Sequence, residues 1–214
     1  VTRYLRGIAG LQMKKEIEYL SRLLKDPEQP FWAVFGGAKV SDKITIVQNL
    51  FAAVKGMCIG GAMAYTFMRA KGIATGNSKV EVDKVELAKS ILTQAEAQKI
   101  EIVLPVDHLV ADKVEAKARI RIEAASIPEG WAGVDIGPKT IQLFAEKLAK
   151  AKTVIWNGPM GIFEIDKFAA GTQRVAQTLA NLKATTVIGG GETAAAASKF
   201  GLTEKMTHVS TGGG

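Results

Sequence analysis

Phe31-Trp32-Ala33-Val34-Phe35 leads directly into Gly36-Gly37-Ala38-Lys39-Val40-Ser41-Asp42-Lys43, and Ile44, Val47, Leu50, Phe51 and Val54 follow at helical spacing. Five apolar residues in a row read as a strand covered on both faces. The stripe behind them predicts a helix over 42–54 with Ser41 as its N-cap. Between the two lies a turn rich in glycine, which lets backbone approach a ligand closely. Free N–H groups at a helix start attract phosphate oxygens. Two lysines there oppose the helix dipole unless a polyanion shares the site. The turn therefore points to a nucleotide and its phosphates.

The pattern repeats along the chain. Further strands are expected at 57–59, 101–104, 153–156, 186–188 and 208–210, and further helices at 62–69, 83–98, 139–149, 167–181 and 193–200. Such βα repetition implies a Rossmann-like three-layer α/β fold, with a six-stranded, mostly parallel sheet flanked by helices. Residues 107–127 break the rhythm and predict a small antiparallel excursion. Ahead of the first strand, Met13, Ile17, Leu20 and Leu24 mark a surface helix that ends before Asp26-Pro27.

In an open parallel sheet, ligands bind beyond the carboxyl ends of the strands. Five glycine turns fall there: Gly36-Gly37-Ala38-Lys39, Gly60-Gly61-Ala62, Asn157-Gly158-Pro159-Met160-Gly161, Gly189-Gly190-Gly191-Glu192-Thr193 and Thr211-Gly212-Gly213-Gly214. None has the GxxxxGK[ST] spacing of a P-loop, and the first is not GxGxxG. Lys39 and Lys43 are candidate cations for phosphoryl transfer, which gathers negative charge on equatorial oxygens; a solvated lysine is the plain alternative for each. Glu192 suits either Mg²⁺ or the positive end of a helix. Thr193 suits a cap or a phosphate contact. Glu164 suits ribose hydroxyls or a solvated surface.

The composition bounds other classes. A formal charge of +7 raises nucleic acid as a partner, but the basic residues are scattered among acidic ones, and small anions fit better. The single cysteine, Cys58, sits in an apolar run and excludes an internal disulfide. No apolar stretch is long enough to suggest a membrane span, and the first residues do not read as a signal peptide. His108 and His208 have no partners at zinc spacing. There is no GxSxG elbow.

These motifs resemble phosphoglycerate kinases, specifically their C-terminal, nucleotide-binding domain. The resemblance rests on Phe35 to Ile44, Gly60 to Phe67, Leu104-Pro105-Val106-Asp107, Gly133 to Thr140, Trp156 to Glu164, Gly189 to Thr193 and His208 to Gly214, in family order. It implies reversible, in-line phosphoryl transfer between 1,3-bisphosphoglycerate and ADP, giving 3-phosphoglycerate and ATP with Mg²⁺. Residues 1–26 would be the interdomain helix with a remnant of the hinge. Residues 27–214 would be the nucleotide domain, without the usual terminal segment. The lobe holding 3-phosphoglycerate or 1,3-bisphosphoglycerate would be missing, so the isolated chain is expected to be inactive.

Carried over by motif, Lys39 and Lys43 would contact the phosphates and the transferring group, and Asp42 would order that region. Gly36, Gly37, Ala38, Gly60, Gly61 and Gly133 would line the adenine side, with Pro159 and Met160 near base and ribose. Asn157 would lie by the phosphates, and Glu164 would bind the ribose. Gly191, Glu192 and Thr193 would meet phosphates and Mg²⁺, with Glu192 the metal ligand. Gly212 and Gly213 resemble the turn that follows the phosphoryl group during closure. Two residues depart from the pattern: Glu192 stands where Asp is usual, and Ala62 where a third glycine is common. The resemblance also implies a monomer in the cytoplasm, or in an organelle such as a glycosome or plastid, with no nucleic acid and no membrane partner. The alternative reading is a noncatalytic adenine-nucleotide-binding or regulatory module.

Overall fold

The computed structural model describes residues 26–210. The helix expected from Met13 to Leu24, and Gly212 and Gly213, lie outside the described residues. Strand β1, Phe31–Phe35, is buried along its whole length. Successive side chains of a strand point to opposite faces, and β1 divides accordingly. Phe31, Ala33 and Phe35 pack in one core, while Trp32 and Val34 pack in another.

Among the described residues, three helices cover each face. The first core is closed by α1 (Ile44–Leu50), α2 (Met63–Ala70) and α3 (Val85–Ala97), through Val47, Phe67 and Ile91 among others. The second is closed by α4 (Pro138–Leu148), α5 (Ala170–Asn181) and α6 (Gly191–Lys199), through Phe144, Leu179 and Ala197. These are the three layers expected from the βα repetition.

The other strands of the main sheet are β2 (Gly56–Ile59), β3 (Glu101–Val103), β7 (Thr153–Asn157), β8 (Thr185–Gly189) and β9 (His208–Val209). They lie in the order β3-β2-β1-β7-β8-β9, and every pairing is parallel. From β1 the chain builds outward through β2 and β3. It then returns to the other side of β1 with β7. The order reverses between β1 and β7, where an open α/β sheet opens its binding crevice.

The excursion is a second sheet of three antiparallel strands, β5-β4-β6. It comprises β4 (Asp107–Ala111), β5 (Ile120–Ala124) and β6 (Ala132–Ile136). The third strand goes beyond the predicted span. The Asp107 carboxylate joins this sheet to α4 by accepting the N–H groups of Lys139 at 2.9 Å and Thr140 at 2.7 Å.

One cap expectation is overturned. Ser41 does not cap α1; Lys43 holds the N-cap position, and its side chain makes no capping bond. The Ser41 hydroxyl instead donates to Glu81 Oε1 at 2.6 Å, which draws residues 41–43 into a turn and shortens the helix. Ala62 sits at φ −65°, so its Cβ is tolerated where glycine is common.

Candidate functional site

The strand ends at the switch point are bound to one another by backbone. Gly36 N–H donates to the Asn157 carbonyl at 3.0 Å, Gly37 N–H to Pro159 at 2.8 Å, and Gly61 N–H to Met160 at 3.1 Å. The Gly37 carbonyl accepts from Met63 N–H at 3.0 Å. A Cβ on Gly36 would lie 2.1 Å from the Pro159 carbonyl oxygen. The two turns approach so closely that only glycine fits there. Three turns distant in sequence thus form one floor.

Above it open two cavities that share Glu192. The larger, about 460 Å³, is walled by Gly37, Ala38, Gly61, Gly133, Pro159 and Met160, with Glu164 at its side. Strand β6 supplies Gly133 and Val134, so the small sheet closes one wall of the cleft. The smaller, about 230 Å³, is bordered by Asp42, Lys43, Asn157, Gly191 and Thr193. Gly36 and Gly60 are buried in the floor. Lys39 is exposed on the same loop and lines neither cavity.

The small cavity concentrates the charged groups. The Lys43 ammonium donates to Asn157 Oδ1. Burial pushes its pKa down, while the Glu192 and Asp42 carboxylates pull it back up. A Cβ on Gly37 would lie 3.6 Å from Lys43 Cε and 3.8 Å from Glu192 Oε2, so lysine and carboxylate both come up to this glycine. Helix α6 starts at Gly191, directly before Glu192. The first N–H groups of a helix have no partner within it and face an anion favourably. Thr193 is buried, and its Oγ1 accepts Gly158 N–H at 2.6 Å, which ties α6 to the turn after β7. At the other end of α6, the Lys199 ammonium donates to the Phe163 carbonyl at 2.8 Å, beside Glu164.

Four contributors, Glu81, Tyr65, Asn77 and Lys79, carry no assignment from sequence. Glu81 accepts the backbone N–H of Val40, the N–H of Ser41 at 3.2 Å and the Ser41 hydroxyl, and so pins the lysine-bearing loop. Its own N–H donates to Thr66 Oγ1 at 3.1 Å. Forty residues separate Ser41 from Glu81, and no local pattern announces the contact. Tyr65, Asn77 and Lys79 line the larger cavity as well. Tyr65 stands inside a quoted motif, but its spacing on α2 reads as core.

A parallel sheet with helices on both faces, and a cleft at its switch point walled by glycine turns, is an open, doubly wound α/β domain. The phosphoglycerate kinase family model matches residues 1–214, and the chain belongs to that family. It is 52% identical to the phosphoglycerate kinase of Pseudothermotoga lettingae, covering 100% of this chain and 54% of the relative. The structure of phosphoglycerate kinase from Coxiella burnetii superposes with a TM-score of 0.93 at 39% identity, over 96% of this chain and 53% of that one. The structure from Pyrococcus horikoshii gives 0.83 at 34% identity, over 96% and 52%. The chain spans about half the length of the curated relatives it matches.

Proposed function

We propose that this chain is the nucleotide-holding half of a phosphoglycerate kinase. In the whole enzyme, a phosphoryl group would pass reversibly between 1,3-bisphosphoglycerate and ADP, giving 3-phosphoglycerate and ATP. The observation that carries the reading is the pair of cavities meeting at Glu192, one walled by backbone and apolar groups, the other holding an ammonium and a helix start. The first suits a base and ribose, with Glu164 accepting from ribose hydroxyls. The second suits a polyphosphate, with Lys43, Asn157 and the first N–H groups of α6 as donors.

The donor set also suits Mg²⁺. Asp42 and Glu192 border the small cavity, and among the described residues no cluster of three or more metal-binding side chains forms. Mg²⁺ needs few protein ligands, because it keeps waters and phosphate oxygens. Glu192 would hold the ion beside the phosphates, where it neutralises their charge. Lys39 and Lys43 would face the charge on the transferred group, and alignment with exclusion of water would supply the remaining acceleration. Gly212 and Gly213 would follow the phosphoryl group as the enzyme closes. The acyl-phosphate site belongs, on this reading, to the part of the relatives this chain does not span. A cytoplasmic monomer completes the proposal.

Calorimetric titration of the 214-residue chain with ADP, with and without Mg²⁺, tests the reading. Lys43→Met is expected to weaken binding about tenfold or more by removing a charge-assisted contact. Lys89→Met, an exposed change on α3, is expected to leave it unaltered. No binding by the unaltered chain, or equal binding by Lys43→Met, would contradict it.

A further inference from the structure

A further cavity, about 420 Å³, opens away from the nucleotide cleft and shares no lining residue with either of its two chambers. Residues 72–76, after α2, and residues 127–129, between β5 and β6, wall it. These segments are bound to each other by backbone. Ile127 N–H donates to the Ala74 carbonyl at 2.9 Å, and Thr75 and Ile127 form a parallel bridge. A Cβ on Gly76 would stand 2.4 Å from the Pro128 carbonyl oxygen, so the walls meet where only glycine fits. A cavity of this size suits a small molecule held between fixed walls.

Ile73, Ala74, Ile127 and Pro128 give the cavity an aliphatic lining. Arg69 and Glu129, both exposed, are the charged residues among those that line it. Arg69 Nε and Nη2 donate to Thr75 Oγ1 at 3.3 and 3.1 Å, and Thr75 is 1% exposed. Two bonds to one buried oxygen fix the plane of the guanidinium and leave its Nη1 donors unspent. Among the described residues, neither Arg69 nor Glu129 forms an ion pair, with the other or with any further group. One guanidinium matches one carboxylate in plane, whereas a dianion calls for a second cation. A carboxylate on the same cavity matches an ammonium. The aliphatic lining suits a hydrocarbon side chain.

We propose that this cavity is a second binding site, which takes a free α-amino acid with a branched aliphatic side chain. The ligand carboxylate meets Arg69, its ammonium meets Glu129, and its side chain lies against Ile73 and Ile127. The site stands independently of the nucleotide reading.

Backbone amide shifts of the labelled full chain, recorded as L-leucine is added, test it. Gly72, Ile73, Gly76 and Ile127 are expected to move together and saturate at one affinity, in the millimolar range because exposed charge pairs are weak. Arg69→Met and Glu129→Gln are each expected to weaken that affinity about three- to tenfold. Two analogues make the same test on the unaltered chain, where no substitution can disturb folding. Leucinamide lacks the carboxylate, and isocaproate lacks the ammonium; each is expected to bind about three- to tenfold more weakly than leucine. Arg69→Met is expected not to distinguish leucine from leucinamide, and Glu129→Gln not to distinguish leucine from isocaproate. Equal binding of leucine and either analogue by the unaltered chain would overturn the proposal, as would undiminished binding by either variant. Absence of saturating shifts around the cavity, or shifts at Gly37 and Gly61 in their place, would overturn it too.

Discussion

Replacing Asp135 by Asn should change how stability depends on pH. Asp135 lies on β6 with 2% exposure, and Gly161 and Gly171 pack against its carboxylate. Burial pushes its pKa up to about 7, while the N–H groups of Gly171 at 2.6 Å and Ile136 at 2.9 Å hold it down. An unfolded aspartate titrates near pH 4. Between about pH 4 and 7 the folded chain therefore keeps a proton that the unfolded chain has released. Stability falls as pH rises through that window, is fully present below it and levels off above it. A shift of roughly three units at about 1.4 kcal/mol each gives about 4 kcal/mol as an upper value. His108 acts in the opposite sense, because burial lowers its pKa, but its effect cancels when variant and parent are compared. In Asp135→Asn, the new side-chain NH₂ would face one of the two N–H donors, at a pH-independent cost of about 1–3 kcal/mol. Urea unfolding of both proteins at half-unit steps from about pH 4.5 to 8 brackets the window and reads the difference. Relative to the parent, Asp135→Asn should gain several kcal/mol across the window. A flat difference would show that the two donors keep the carboxylate ionised, and the burial argument would be wrong.

Two further substitutions probe the scaffold of the cleft. Thr193→Val keeps the shape of the side chain but leaves Gly158 N–H unpaired, so denaturant midpoints should report a loss of about 1–3 kcal/mol, and Thr193→Ser should restore most of it. Glu81→Ala releases three hydrogen bonds on the lysine loop; hydrogen exchange at Val40 and Ser41 should accelerate, while the amides of β7 should keep their protection.

The main sheet is legible in the sequence because its strands are short apolar runs. Phe31–Phe35 could only be a strand with a helix layer on each side. Strand β6 is not legible: Ala132-Gly133-Val134-Asp135-Ile136 carries a glycine and an aspartate, residues that strands disfavour. Both serve the cleft, Gly133 by admitting the Tyr65 hydroxyl and Asp135 by holding the start of α5. Local pattern favours Ser41 as the cap of α1, whereas Glu81, forty residues away, captures its hydroxyl. The helix expected from 193 starts earlier, because Gly190 at φ +89° lets α6 begin at Gly191. Glycine turns declare themselves in sequence through backbone demands. Tyr65 and Glu81 act through contacts between distant segments, which no spacing reveals.

The proposed nucleotide site is the cleft between β1 and β7. Backbone amide shifts of the labelled chain, recorded as Mg-ADP is added, test it most directly. Gly37, Gly61, Gly133, Asn157 and Thr193 should move together and saturate at one affinity, while Ile120 and Ile122 on the outer strand β5 stay in place. Saturating shifts on β5 with the glycine turns unmoved, or no shifts at all, would contradict it.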